Sequence, residues 1–209
     1  MNSEALKALA VLKSGGADDV QTILLALSCL DDWVSDPPVI STQVDGAPPW
    51  YRHEYKVWEL GENLRAILLR KKKFRQNKAL FDRVAEICRN PEYGKGRQIF
   101  VLVLGAYGGR DYAKVAADLL DDAEVAGHAV DALLKMRGSG YAHLVAPLEK
   151  HPIAWISKEA KKYCERYPDV VDECASSTRL QEDMKKDRKE VEGEIYGIRN
   201  RESSRGTVT

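Results

Sequence analysis

Most of the short signatures that announce an enzyme are missing from these 209 residues. There is no GxSxG elbow, no HExxH pair, no Walker A loop and no dinucleotide-binding fingerprint, so the local chemistry of those hydrolases, metalloproteases and nucleotide enzymes has nowhere to sit. Gly94-Lys95-Gly96 is only a GxG fragment and reads as a turn between helices. His53-Glu54 begins like a zinc motif, but the position four after His53 is Val57, so a metal-binding face does not form. His128, His143 and His151 stand singly, and neither a metal nor a cofactor is expected. The four cysteines, Cys29, Cys88, Cys164 and Cys174, form no CxxC pair, the pattern of reduced thiols in a cytosolic chain. No apolar run approaches the ~18 residues of a membrane span, and Met1 to Lys7 lacks the basic start and apolar core of a signal peptide. A soluble, cytoplasmic protein without a membrane partner is the expectation. Net charge is absent too: 32 basic residues balance 32 acidic ones, which leaves no global attraction to nucleic acid or lipid.

Helical periodicity is what fills the chain. Val20, Ile23, Leu24, Leu27 and Leu30 are spaced as one buried face, and similar patterns over Glu54–Lys73, Asn77–Arg89, Lys95–Tyr107, Asp111–Leu120, Val125–Met136, Tyr141–Glu149 and Trp155–Arg166 predict helices. No stretch has a strand's strict alternation, and Ile99–Leu104, apolar enough for either, reads as a buried helix.

Two Gly-rich turns near the middle are alike. Gly108-Gly109-Arg110-Asp111-Tyr112-Ala113 and Arg137-Gly138-Ser139-Gly140-Tyr141-Ala142 share a Gly…Tyr-Ala ending with their tyrosines 29 positions apart. Around them Val125 aligns with Ile156, Ala129 with Ala160 and Leu133 with Cys164, each 31 positions on. A period of this size belongs to stacked helix pairs, because one pair cannot bury its apolar stripe alone. Ala129, Ala132 and Ala160 would let neighbouring helices approach closely. The pattern, over roughly 75 residues, resembles HEAT repeats, in particular the short HEAT-like units first noted in phycobilin lyases, with a turn ending in Asp, a Val, a small residue and then Leu-Leu. The resemblance implies a fold: all-α, a short α-solenoid of stacked antiparallel helix pairs of the HEAT/ARM type. The solenoid is expected over residues 1–175, and the composition beyond it predicts a charged C-terminal helix or cap at 176–199 and a disordered tail at 200–209. A pigment-handling role is a fold analogy, since no pocket specific for a tetrapyrrole is evident.

One interruption breaks the pattern. Asp36-Pro37-Pro38 and Ala47-Pro48-Pro49 cannot continue a helix, which predicts a long Pro/aromatic loop at 35–53. It leads into Trp50, Tyr51, Arg52, His53, Tyr55 and Trp58, residue types that anchor protein interfaces by pairing large apolar area with a polar handle. The same aromatics could equally pack the loop on its own helices. Beyond it, residues 52–97 carry thirteen basic and six acidic residues, and Arg70, Lys71, Lys72 and Arg75 head a positive band suited to an acidic partner. These features together predict a non-enzymatic, protein-binding HEAT-like adaptor or inhibitor, such as an immunity or scaffold protein. The alternative is a nucleic-acid-binding protein resembling the HEAT-like DNA glycosylases for alkylated bases, with Trp33, Asp36, Trp58 and Trp155 as the residues available to it.

Overall fold

The computed structural model describes residues 2–35, 53–75 and 77–169, and among these there is helix and no strand. The expected proline-rich loop, the charged helix at 176–199 and the tail at 200–209 fall almost wholly outside the described residues.

Helices begin after Asn2, Asp19 and Asn77, where the sequence supplies a side-chain cap. α1 (Ser3–Lys13) starts at Asn2, whose side chain accepts from the Glu4 N–H, and buries Ala5, Ala8, Leu9 and Leu12 on one face. α2 (Val20–Leu27) starts at Asp19, which accepts from both the N–H and the hydroxyl of Thr22. The Ser28 hydroxyl then bonds back to the Leu25 carbonyl, and the chain re-forms as α3 (Cys29–Ser35). The one buried face expected over Val20, Ile23, Leu24, Leu27 and Leu30 is therefore shared by two helices. α4 (His53–Arg70) is the longest helix among the described residues. It stops three residues before the expected Lys73, because a short 3-10 turn, Lys72–Phe74, folds Phe74 into the core. Asn77 caps α5 (Lys78–Arg89).

The next turn, Pro91–Arg97, is set by Gly94, whose φ of 50° favours glycine. The Glu54 carboxylate occupies the space a Cβ would need there and accepts from the Lys95 N–H, which fixes the start of α4. α6 (Gln98–Val103) continues through a π turn, Leu104–Gly108, so the ambiguous apolar run is a buried helix. α7 (Ala113–Ala117) is shorter than expected, being entered by a 3-10 turn at Arg110–Tyr112. α8 (Ala126–Met136) ends on Arg137 in the left-handed conformation, with the Gly138 N–H returning to the Leu133 carbonyl. α9 (Ala142–Val145) gives way to a 3-10 turn containing Pro147, and α10 (Ala154–Arg166) closes the described chain.

Packing follows chain order. α1 contacts α2 and α4, α4 contacts α6, α6 contacts α8, and α8 contacts α10; alongside, α2 contacts α5 and α5 contacts α7. Glycine permits three of the closest approaches. A Cβ on Gly61 of α4 would overlap Ile99 of α6, one on Gly105 would overlap Ala132 of α8, and one on Gly127 of α8 would overlap Ile156 of α10. One apolar cluster runs from Ala5 to Tyr163, with Val125, Ala129, Leu133 and Ala160 fully buried in it. Arg97 is also buried, its guanidinium bonded to the Gly94 and Cys88 carbonyls and paired with Asp122 at 2.7 Å and Glu124 at 3.3 Å.

Candidate functional site on α4 and the turns beside it

α4 places the first group of candidate residues. Its inner face, Val57, Leu60, Leu64, Ile67 and Leu68, is buried. Tyr55 and Trp58, three residues apart, stack with ring centroids 6.1 Å apart and planes 20° from parallel. Both are half-buried, and Trp58 packs against the core. Lys56 lies 6.0 Å from the Tyr55 centroid. Beside them Glu59 pairs with Lys13 of α1 at 3.2 Å and with Lys56 at 3.4 Å. Partial burial pushes the Glu59 carboxyl up, but the two lysines outweigh it and hold the group below its ordinary value. Trp50, Tyr51 and Arg52 lie outside the described residues, and His53 is described only as the first residue of α4.

The positive band after α4 is divided by its own hydrogen bonds. Lys71 donates to the Ala17 carbonyl at 2.7 Å and pairs with the Asp18 carboxylate, and Lys73 donates to the Asp18 carbonyl at 2.7 Å. Arg70 lies over Gly15 in the same α1–α2 turn, where a Cβ would overlap its guanidinium. These three side chains thus clamp the end of α4 to that turn. Lys72 is exposed. Arg75 turns back, donating from Nε to the Leu68 carbonyl at 2.7 Å and from Nη2 to the Leu69 carbonyl at 3.1 Å, and lies 4.8 Å from the Tyr107 centroid.

Arg75 also borders an open pocket of about 400 Å3. One side is Asn77, Lys78, Phe81 and Asp82 from the start of α5; the other is Gly108, Asp111 and Tyr112 from the turn before α7. The Tyr112 hydroxyl joins the sides, donating to Asp82 at 2.8 Å, and its ring sits 6.2 Å from that of Phe81. Lys78 pairs with Asp82 at 2.7 Å. The bonds from Lys78 and Tyr112 hold the Asp82 carboxyl below its ordinary range, while burial and the Asp82 charge push the Tyr112 phenol up to about 12.

Phe81, Asp82 and Tyr112 were absent from the sequence-based site. Tyr112 was visible there as a repeat residue, and nothing in the sequence tells a Tyr lining a pocket from one filling a core. The tryptophans noted for the glycosylase alternative have separate surroundings. Trp33 is buried in the core with no partner for its Nε1 among the described residues; Trp58 stacks on Tyr55; Trp155, 44% exposed, meets His128 edge-on at 5.4 Å. Asp36 lies outside the described residues. Burial pushes the Cys88 thiol up to about 12 and Cys164 to about 11, both far from a reactive thiolate. No cluster of three or more His, Cys, Asp or Glu side chains able to hold a metal occurs among the described residues, and no described helix is long and apolar enough to cross a membrane. Comparison of the chain with protein-family models, with curated proteins and with solved structures finds no significant match.

Proposed function

We propose that this chain is a non-enzymatic HEAT-like adaptor or inhibitor that holds another protein against α4 and the aromatic segment leading into it. The HEAT-like part of the reading draws support from the order of packing: α1, α4, α6, α8 and α10 contact one another in sequence, as stacked helix pairs require. The binding part is carried by one observation, the half-buried Tyr55–Trp58 stack on a helix whose opposite face is locked into the core. Rings held against each other on one helix lose less side-chain freedom when a partner covers them. It also continues the run of Trp50, Tyr51 and Arg52, residue types that dominate binding energy where they are buried by a partner.

The test is affinity capture with the full chain from its native cytosol, followed by calorimetric titration of the captured protein. Changing Trp50, Tyr51 and Arg52 together to Ala is expected to weaken binding by at least about a hundredfold, the effect of losing about 3 kcal/mol of anchor contacts, with the melting temperature unchanged. Unchanged affinity in that variant and in Tyr55→Ala would remove α4 as the binding element.

A further inference from the structure

We propose that the pocket between the start of α5 and the Gly108–Tyr112 turn receives a carboxylate side chain from an acidic segment of the protein partner, with Arg75 as its ligand. The inference rests on the adaptor reading for the source of the carboxylate, and on the pocket alone for its chemistry.

Arg75 is prepared for this. Its two hydrogen bonds to the Leu68 and Leu69 carbonyls and its place beside the Tyr107 ring fix the guanidinium plane. They leave three of its five N–H groups uncommitted. Its hydrogen bonds go to neutral carbonyls, and no ion pair within the described residues neutralises it. A fixed, planar, uncompensated guanidinium is the protein group best matched to a planar carboxylate.

The two cations of the lining, Arg75 and Lys78, are matched in number by Asp82 and Asp111, so attraction for a carboxylate is local to Arg75 and leaves no room for a second negative charge. Lys78 and Asp82 neutralise each other, and the Tyr112 hydroxyl occupies a further acceptor site on Asp82. Asn77 has its side-chain oxygen committed to the Leu80 N–H, so what it offers a ligand is the amide donor. Phe81 and Tyr112 give an apolar wall for the methylenes that carry a glutamate carboxylate. Asp111 on the rim is exposed and repels a second negative charge, which disfavours a phosphate dianion. Within residues 52–97, Lys71, Arg83 and Arg97 are neutralised by Asp18, Asp31 and Asp122, while Lys72 and Arg89 stay exposed and complement an acidic segment.

The probe is acetyl-Glu-Glu-Glu-amide, titrated at low salt into the isotopically labelled full chain and followed by backbone amide shifts, with acetyl-Gln-Gln-Gln-amide and inorganic phosphate as separate arms. Saturable shifts at Gly108, Asp111 and Tyr112 are expected with the Glu peptide and not with the Gln peptide. Arg75→Gln should weaken the Glu peptide about tenfold or more, as loss of a charge-assisted pair predicts. Because Arg75 also caps α4, Asp111→Asn serves as the variant that leaves the fold untouched, and it should tighten binding up to about fivefold by removing a rim repulsion. Equal shifts from the Gln peptide, stronger binding of phosphate, weaker binding by Asp111→Asn, or undiminished binding by a folded Arg75→Gln would each overturn the proposal. A captured partner that binds wild type and folded Arg75→Gln alike overturns the pocket and leaves the adaptor reading standing. Saturable Glu-peptide binding in a chain that captures no protein overturns the adaptor reading and leaves the carboxylate site.

Discussion

The two halves of the described helices are held together by different means. From α1 to α5 the cross-links are long charged side chains. Lys13 reaches Glu59, Lys71 and Lys73 reach the turn at Ala17 and Asp18, and Arg83 reaches Asp31, which also accepts from Tyr93 at 3.2 Å. From α6 to α10 the helices meet at small residues, Gly105 on Ala132 and Gly127 on Ile156, as α4 meets α6 at Gly61 on the boundary between the halves. The lysine ion pairs of this second half lie within one helix or its cap. Exposed charged contacts are soft, since each contributes little and bends to accommodate change. Close backbone approach is hard, because volume added there must move a helix.

The largest expected effect follows directly. In Gly105→Leu the new Cβ would lie 2.6 Å from the Ala132 Cα, so α8 must shift away from α6. A loss of about 3 kcal/mol or more of unfolding free energy is expected, read from chemical denaturation. A loss under about 1 kcal/mol would show that the second half is as soft as the first.

Next comes Tyr163, fully buried and donating to the Gly138 carbonyl. Tyr163→Phe leaves that carbonyl without its partner and should cost about 1–2 kcal/mol. The same residue gives a pH signature. Burial raises its phenol to about 12 from an ordinary 10.0, so the folded chain favours the protonated form. Its contribution is complete below pH 10 and is lost as pH rises toward 12. Tyr112 shares that direction, and the alkaline loss is therefore expected to shrink in Tyr163→Phe without vanishing.

In the first half, Lys71→Met is the matching test and should cost about 1 kcal/mol or less. Added salt should weaken the wild-type contact to Asp18 and narrow the difference between the two proteins. A salt-independent loss above about 2 kcal/mol would mean that the clamp on Ala17 and Asp18 is rigid, and the contrast between the halves would fail.

This contrast also explains what could be read in advance. Apolar residues at helical period make the all-α class legible in the sequence, and the small residues Ala129, Ala132 and Ala160 are buried, Ala132 where α8 comes close to Gly105. Between α1 and α5 the partners are far apart in sequence, Lys71 with Ala17 or Arg83 with Asp31, and a lysine bound to a distant carbonyl looks the same in a sequence as a lysine in water. The positive band was therefore legible as composition, while its division into clamping lysines and a pocket arginine was not. The break at Ser28 was hidden for a related reason: a serine hydroxyl bonding back to Leu25 is a local choice between two geometries that helical periodicity does not distinguish.

The smallest effect concerns His128, where α8 meets α10. Its ring is half-buried beneath Trp155, and burial lowers its pKa from the ordinary 6.5 although Asp131 pulls the other way. A depressed folded-state value means that the unfolded chain binds the proton more readily. The His128 contribution is therefore present above pH 6.5 and is lost as pH falls through the folded value. Proton NMR titration of the full chain should place His128 below 6.5. Trp155→Ala removes the cover, since the Trp155 ring lies against both His128 and Gly127, and should move the titration back toward 6.5 while leaving the amide shifts of α1 and α2 unchanged. An unmoved titration would mean that the burial of His128 comes from its own helix. Shifts reaching α1 would mean that the tight half transmits strain to the soft one, and the two halves would then have to be treated as one mechanical body.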